Sequence, residues 1–233
     1  MEHRSRVGVV VPAAGKGRRM GGVRSKQFLE LDGKPIIIRT LEHFQSSPLI
    51  DCIVVAVSSD VIEESRSLIG GAGLTKVTGI VSGGDERQDS VWCGLEALDS
   101  RNPHFVLVHD GVRPFIDGDL IDRVLSAAVR HRAAVPAVRA KETVKLTGAD
   151  GFVQETLPRE QLWIAQTPQA FEFKLLHRAY ERARADGFIG TDDASLVERL
   201  GEKVSIVEGS YDNIKITTPE DLEFAQGIFH RRT

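Results

Sequence analysis

Cysteine, tryptophan, tyrosine and methionine are scarce in this chain, two of each in 233 residues. The cysteines, Cys52 and Cys93, form no CxxC, which removes zinc-knuckle and thioredoxin-type redox chemistry. They are expected as two buried thiols, Cys52 opening a strand and Cys93 inside a helix. The histidines at 3, 43, 104, 109, 131, 177 and 230 show neither HxH nor HxxxH spacing, and no GxSxG elbow occurs. Zinc-hydrolase and serine-nucleophile readings lose their first requirement. No apolar run is long enough to span a bilayer. Residues 1–6 carry neither the apolar segment nor the small-residue cleavage site of a signal peptide, so a cytoplasmic protein without a membrane partner is expected. Neither sign of charge dominates, and the net charge of −3 argues against a broadly basic nucleic-acid-binding surface. No Pro/Ser-rich linker, low-complexity tract or internal repeat divides the chain, and one domain over 1–233 is expected.

What is present is concentrated at the start. Val7-Gly8-Val9-Val10-Val11 is a β-branched run suited to a parallel strand covered on both faces. It leads into Pro12-Ala13-Ala14-Gly15-Lys16-Gly17-Arg18-Arg19-Met20, with Lys26 a little further on. Small residues admit a ligand close to the backbone, and amide N–H groups in such a turn form an anion-binding nest. Arg18, Arg19 and Lys26 bring positive charge to the same edge, a combination suited to a triphosphate. The loop is not a Walker A motif, because no Gly-Lys-Ser/Thr closes it. It is not a dinucleotide fingerprint either, because Met20 occupies the third glycine position.

Apolar runs then alternate with amphipathic stretches. Strands are expected at 7–11, 52–57, 76–81, 104–108, 133–138, 203–207 and 213–216. Helices are expected from Pro35 through 45, after a Ser58-Ser59-Asp60 cap through 68, and at 85–98, 117–131, 173–186, 193–200 and 219–229. This order predicts an α/β, Rossmann-like, mostly parallel twisted sheet with helices on both faces. The alternation breaks at 139–162. Residues 143–147 and 152–156 read as a hairpin around Gly148-Ala149-Asp150-Gly151. A lone hairpin is marginally stable in water, so this β-arm is expected to pack on a second subunit.

Several blocks carry candidate chemistry. Asp110, in Val108-His109-Asp110-Gly111-Val112-Arg113, ends a strand where an α/β sheet binds ligands. It is a candidate for Mg²⁺, ribose or a substrate hydroxyl, against the plainer role of a turn residue before glycine. Arg113 follows on the same turn. In Gly83-Gly84-Asp85-Glu86-Arg87-Gln88-Asp89-Ser90 the glycines allow close approach, while Asp85 and Ser90 offer an acceptor and a hydroxyl to a base or ribose. Helix capping by Asp85 is compatible with that use. Thr167, in Gln166-Thr167-Pro168-Gln169, can donate to a substrate oxygen. Thr191-Asp192-Asp193 reads first as a helix cap. Lys215 on a short apolar strand needs either a phosphate or a carboxylate partner.

Taken in order, these blocks resemble the 2-C-methyl-D-erythritol 4-phosphate cytidylyltransferase family across residues 7–229. The resemblance implies CMP transfer from CTP to methylerythritol phosphate, with Mg²⁺ and release of pyrophosphate. It implies that Arg19, Lys26 and Lys215 bind phosphates and stabilise the transition state. Ala13, Ala14, Gly15, Gly84, Asp85 and Ser90 would line the cytidine site. Asp110, Arg113, Thr143, Arg159 and Thr167 would bind methylerythritol phosphate, with Thr143 and Arg159 acting across a homodimer through the β-arm. Metal ligands are not identified, Asp110 being the one candidate. Gly111-Val112 stand where Ala-Ala is common, which alters bulk but no charge. Two rival readings are a cytidylyltransferase for another polyol phosphate, such as ribitol 5-phosphate, and a non-catalytic nucleotide-binding regulatory module.

The absence of a base fits the implied reaction. A phosphate monoester, with a second pKa of about 6, is largely dianionic near neutral pH and is already a nucleophile. The obstacle is the approach of two polyanions, which calls for fixed cations.

Overall fold

The computed structural model describes residues 5–15 and 28–232. Arg19 and Lys26 fall outside them. Strand β1 (Val7–Ala13) alternates its side chains between two cores. Val9 and Val11 face one core, together with Leu41, Phe44 and Ile121. Val10 faces the other, together with Val91, Leu95 and Leu176. That is why the run is apolar without interruption. After a small antiparallel ribbon of β2 (Glu30–Leu31) and β3 (Lys34–Pro35), β4 (Cys52–Val57) is likewise buried on both faces. Helices α1 (Ile36–Ser46), α2 (Ile62–Gly71) and α4 (Gly118–His131) cover the first face. Helices α3 (Arg87–Asp99), α5 (Phe173–Ala185) and α6 (Asp193–Arg199) cover the second. Helix α3 comes so close to β1 that a Cβ on Gly94 would lie 2.4 Å from a Val10 methyl, so only glycine fits there.

The eight-stranded sheet runs β5 (Val77–Ser82), β4, β1, β6 (Phe105–Val108), β11 (Gln169–Glu172), β7 (Ala133–Arg139), with β10 (Trp163–Ala165) and β12 (Ser205–Glu208) also on β7. All ladders are parallel except those of β10 and β11. The chain moves outward from β1 to β4 and β5, then returns to place β6 on the other side of β1. The β1–β6 gap is therefore the topological switch point, where loops part and leave a crevice at the strand C-terminal ends.

β10 and β11 were not anticipated from sequence. Ala137 pairs with both Ala165 and Glu208, and Ala134 with both Ala170 and Ser205. β10 and β11 therefore share one edge of β7, and β12 holds the other. The register along that edge slips by two residues between Ala165 and Ala170, where Gln166-Thr167-Pro168 bulges and the Thr167–Pro168 peptide is cis. The bulge places Gln166 and Thr167 beside the end of β6.

Other expectations need correction. Residues 213–216 form no ladder, because Ile216 donates its N–H to Val112 and its side chain fills a small core with Val112, Phe115 and Ile228 of α7 (Pro219–Arg232). Ser58 bonds Asp60 rather than capping α2, and a short 3-10 turn at 59–61 precedes that helix. Cys52 is buried, but Cys93 is only partly so. The arm is present as β8 (Lys145–Thr147) and β9 (Val153–Thr156), which pair only with each other. No helix among the described residues is long and apolar enough to cross a membrane.

Candidate active site

Two adjoining cavities open at the switch point. The first, of about 120 Å³, is lined by Ala13, Ala14 and Gly15 at the end of β1, Gly84, Asp85 and Ser90 after β5, and Val112 after β6. All six residues expected around the nucleotide therefore meet here. The close fit depends on Gly83, where a Cβ would stand 2.6 Å from both the Ala14 Cβ and Ser90 Oγ. Ser90 shapes the loop more than it faces outward: its Oγ accepts the Gly84 N–H at 3.2 Å and donates to the Glu86 carbonyl at 3.2 Å. The residue at the N-cap of α3 is Glu86, not Asp85, and its N–H is held by the Asp89 carboxylate at 3.3 Å. Asp85 is left at the cavity wall.

The second cavity, of about 250 Å³, is lined by Arg113, Gln166, Thr167, Gln169 and Asp192. Arg87, Asp110 and Lys215 line both cavities and mark the join. Asp110 is buried and takes three cations. Arg87 Nε donates to Oδ1 at 2.9 Å. Arg113 Nε and Lys215 Nζ reach Oδ2 at 3.2 and 3.0 Å. Burial opposes ionisation of this carboxyl, yet Arg87, Lys215 and Arg113 outweigh it and hold the group well below the usual carboxylate range. Lys215 thus has the carboxylate partner that its apolar setting required, although it sits in a loop and not in a strand.

Arg87 also donates through Nη1 and Nη2 to the Asp193 carboxylate, at 3.1 and 2.7 Å. Asp193 is fully buried and accepts in addition from the Tyr180 hydroxyl. Burial disfavours the Arg87 charge, but Asp193 and Asp110 raise its pKa well above the ordinary value. Three cations and two carboxylates meet here, which leaves one positive charge in excess. The sequence reading assigned Arg87 no role. Its signal was available: a cation in the first turn of a helix opposes the macrodipole and requires another reason to be there. Asp192 does cap α6, accepting the Ser195 N–H at 2.9 Å. Gln169 joins the cap to the bulge, donating to Asp192 Oδ2 at 2.8 Å and accepting from Ala194 N–H at 3.0 Å.

Thr143 and Arg159 do not join this constellation within the chain. Both are exposed at the base of the arm, and Arg159 Nη1 bonds the Lys141 carbonyl at 3.0 Å. No group of three His, Cys, Asp or Glu side chains suited to a metal occurs among the described residues. Asp110, the one candidate metal ligand, has both oxygens committed to cations.

The model of the IspD family, described as 2-C-methyl-D-erythritol 4-phosphate cytidylyltransferase, matches residues 7–231. The chain belongs to this family. A relative from Symbiobacterium thermophilum bearing that description is 50% identical over 220 residues, covering 94% of this chain and 91% of its own. One from Geotalea uraniireducens is 50% identical over 225 residues and covers 96% of each. Among solved structures, 4-diphosphocytidyl-2C-methyl-D-erythritol synthase from Anaerococcus prevotii superposes with a TM-score of 0.85 at 34% identity, over 98% of this chain and 100% of that one. The enzyme is a CTP-dependent cytidylyltransferase that makes CDP-methylerythritol from methylerythritol phosphate, in the non-mevalonate isoprenoid pathway. The choice left open in the sequence, between this polyol phosphate and ribitol 5-phosphate, falls to methylerythritol phosphate, and the non-catalytic alternative falls away.

Proposed function

We propose that the two cavities divide the substrates of this cytidylyltransferase. CTP occupies the first, against Ala13, Ala14, Gly15, Gly84, Asp85 and Ser90. Methylerythritol phosphate occupies the second, against Asp110, Arg113 and Thr167. The observation that carries this reading is the convergence of Arg87, Arg113 and Lys215 on Asp110 at the join. The two polyanions must meet at that point. A phosphate oxygen of methylerythritol phosphate attacks the α-phosphorus of CTP. One P–O bond forms, the α–β bridging P–O bond breaks, and pyrophosphate leaves with the electron pair. No protein base is needed. Lys215, with 37% of its side chain exposed, moves from Asp110 to the reacting phosphates, while Arg19 and Lys26, which follow Gly15 in sequence, contribute further positive charge. Asp110 keeps Arg87 and Arg113 when Lys215 leaves.

Magnesium belongs to the nucleotide in this reading. The donor set around the join is cationic, and Asp85 is the one wall carboxylate without a partner among the described residues. Mg²⁺ seldom uses an all-protein cage, so the phosphate oxygens of CTP and water would carry it, and its charge would offset that of the phosphates. We place the reaction in the cytoplasm, with the whole chain as one nucleotidyltransferase domain, in keeping with two cysteines that form no disulfide.

The test is pyrophosphate release with Mg²⁺ and each nucleotide in turn. CTP should be used in clear preference to ATP and GTP, because the small residues and backbone of Ala13, Ala14, Gly83 and Gly84 close in tightly where the base would sit. Comparable turnover with a purine triphosphate would remove the base-pocket assignment.

The arm completes the site in a homodimer. Leu146, Phe152 and Val153 are 47, 75 and 58% exposed on a hairpin that pairs only with itself, an apolar surface suited to a second copy. Thr143 and Arg159 then enter the partner's second cavity. Mixing inactive Arg159→Ala and Lys26→Ala variants under subunit exchange should restore roughly a quarter of wild-type activity. About half the dimers are then mixed, each with one intact site of two. Verified exchange without recovery would return Arg159 to its own chain.

A further inference from the structure

Two polar side chains beside Asp110 remain unexplained, and their hydrogen bonds locate a proton. His109 is fully buried. Its Nε2 lies 3.1 Å from the Arg113 carbonyl oxygen. A carbonyl only accepts, so Nε2 carries the ring proton. Burial pushes the imidazole pKa down to about 3, which keeps the ring neutral. Nδ1 then presents a lone pair, and the Thr167 hydroxyl oxygen stands 2.9 Å from it. The same oxygen accepts the Asp110 N–H at 3.1 Å. The single hydroxyl proton of Thr167 is thus directed at His109, and the oxygen has one lone pair left. Thr167 is buried at the wall of the second cavity.

We infer that His109 is a positioning residue that makes Thr167 a proton acceptor toward the cavity, so that Thr167 receives a hydroxyl of the polyol and not a phosphate oxygen. This inference rests on the proposed placement of methylerythritol phosphate in the second cavity. It reverses the expectation from sequence that Thr167 donates to a substrate oxygen. A phosphate dianion offers only acceptors and would face a lone pair. A polyol hydroxyl brings the proton that completes the bond. The cations at the join already serve the phosphate, so donor and acceptor functions separate along the cavity. A site built in this way discriminates against a substrate that lacks the hydroxyl, because the acceptor is left unpaired.

The tautomer is read directly by ¹⁵N NMR of histidine-labelled wild-type protein without substrate. A protonated Nε2 and an unprotonated Nδ1 are expected for His109. A proton on Nδ1 overturns the inference, because Thr167 would then be free to donate. Because this measurement needs no substrate, a Thr167→Ala variant whose KM for methylerythritol phosphate is unchanged would refute the placement and leave the tautomer result standing. Kinetics supply the second arm. His109→Gln retains a donor toward Arg113 but no acceptor at the Nδ1 position. His109→Asn retains that acceptor. The Gln variant should raise KM for methylerythritol phosphate about tenfold, the equivalent of one hydrogen bond, with KM for CTP changed less than twofold. The Asn variant should stay within about threefold of wild type. Equal effects of the two variants, or equal shifts in both KM values, would reduce His109 to a packing role. Should the Gln variant fail to fold, the tautomer measurement still decides.

Discussion

Replacing Lys215 by alanine should lower kcat by about 10²–10³-fold while changing KM for CTP much less. The size follows from the site. Lys215 is the most exposed of the three cations around Asp110 and is held there by one contact at 3.0 Å. Arg87 and Arg113 are bound elsewhere as well, to Asp193 and to the Asn213 carbonyl at 2.8 Å. Among the described residues Lys215 alone of the three has no second contact of that kind, and it is the cation able to follow charge onto the α-phosphate. Charge that develops in the transition state and not in the ground state is felt in kcat. Removing Lys215 leaves Asp110 with two arginines, so stability should change little, and an unchanged melting temperature would confirm that the loss is chemical. Lys26→Ala should behave in the same way. A variant that raises KM and leaves kcat intact would return Lys215 to ground-state binding.

The second large effect concerns stability. Asp193→Asn should cost about 3–5 kcal/mol, because it breaks a buried ion pair by removing one partner. Asp193 is fully buried and accepts from Arg87 at both oxygens and from Tyr180 at one. An amide in its place turns an N–H₂ toward donors and leaves the guanidinium only Asp110, which it already shares with Arg113 and Lys215. At roughly 2–4 °C per kcal/mol for a chain of this size, the melting temperature should fall by about 6–20 °C. Denaturant unfolding with an unchanged m-value checks that stability has changed and not the extent of unfolding. Activity should fall too, because Arg87 reaches Asp110 from the anchor that Asp193 provides. A double variant, Arg87→Met with Asp193→Leu, should recover much of the stability and none of the activity. Replacing both members of a buried pair by apolar groups is far less costly than orphaning one. A loss below about 1 kcal/mol for Asp193→Asn would mean that the pair is screened by water, as at a surface.

The split between what was legible in the chain and what was not follows the range of the interactions. The β-branched runs at 52–57 and 105–108, the amphipathic helices between them and the glycine-rich turns are local patterns. Each states its own conformation within a few residues, and together they specify a parallel sheet with helices on both faces. The residues expected around the nucleotide come together in one cavity for a related reason. Ala13, Ala14, Gly84 and Asp85 sit at strand ends, and in this topology strand ends converge. Where tertiary contacts competed with local pattern, reading failed. Residues 213–216 have the composition of a strand, but a bond to Val112 and burial of Ile216 hold them as a loop. Gln169–Glu172 is too short and too polar at its start to announce a strand, and it forms one because β6 and β7 offer open edges on either side. Decided by tertiary structure alone were the pairing of Arg87 with Asp193, 106 residues away, and the proton between Thr167 and His109, 58 residues apart. Neither has a local signature. A buried charge or hydroxyl takes whatever partner the fold presents, and that partner exists only once the sheet has closed around it.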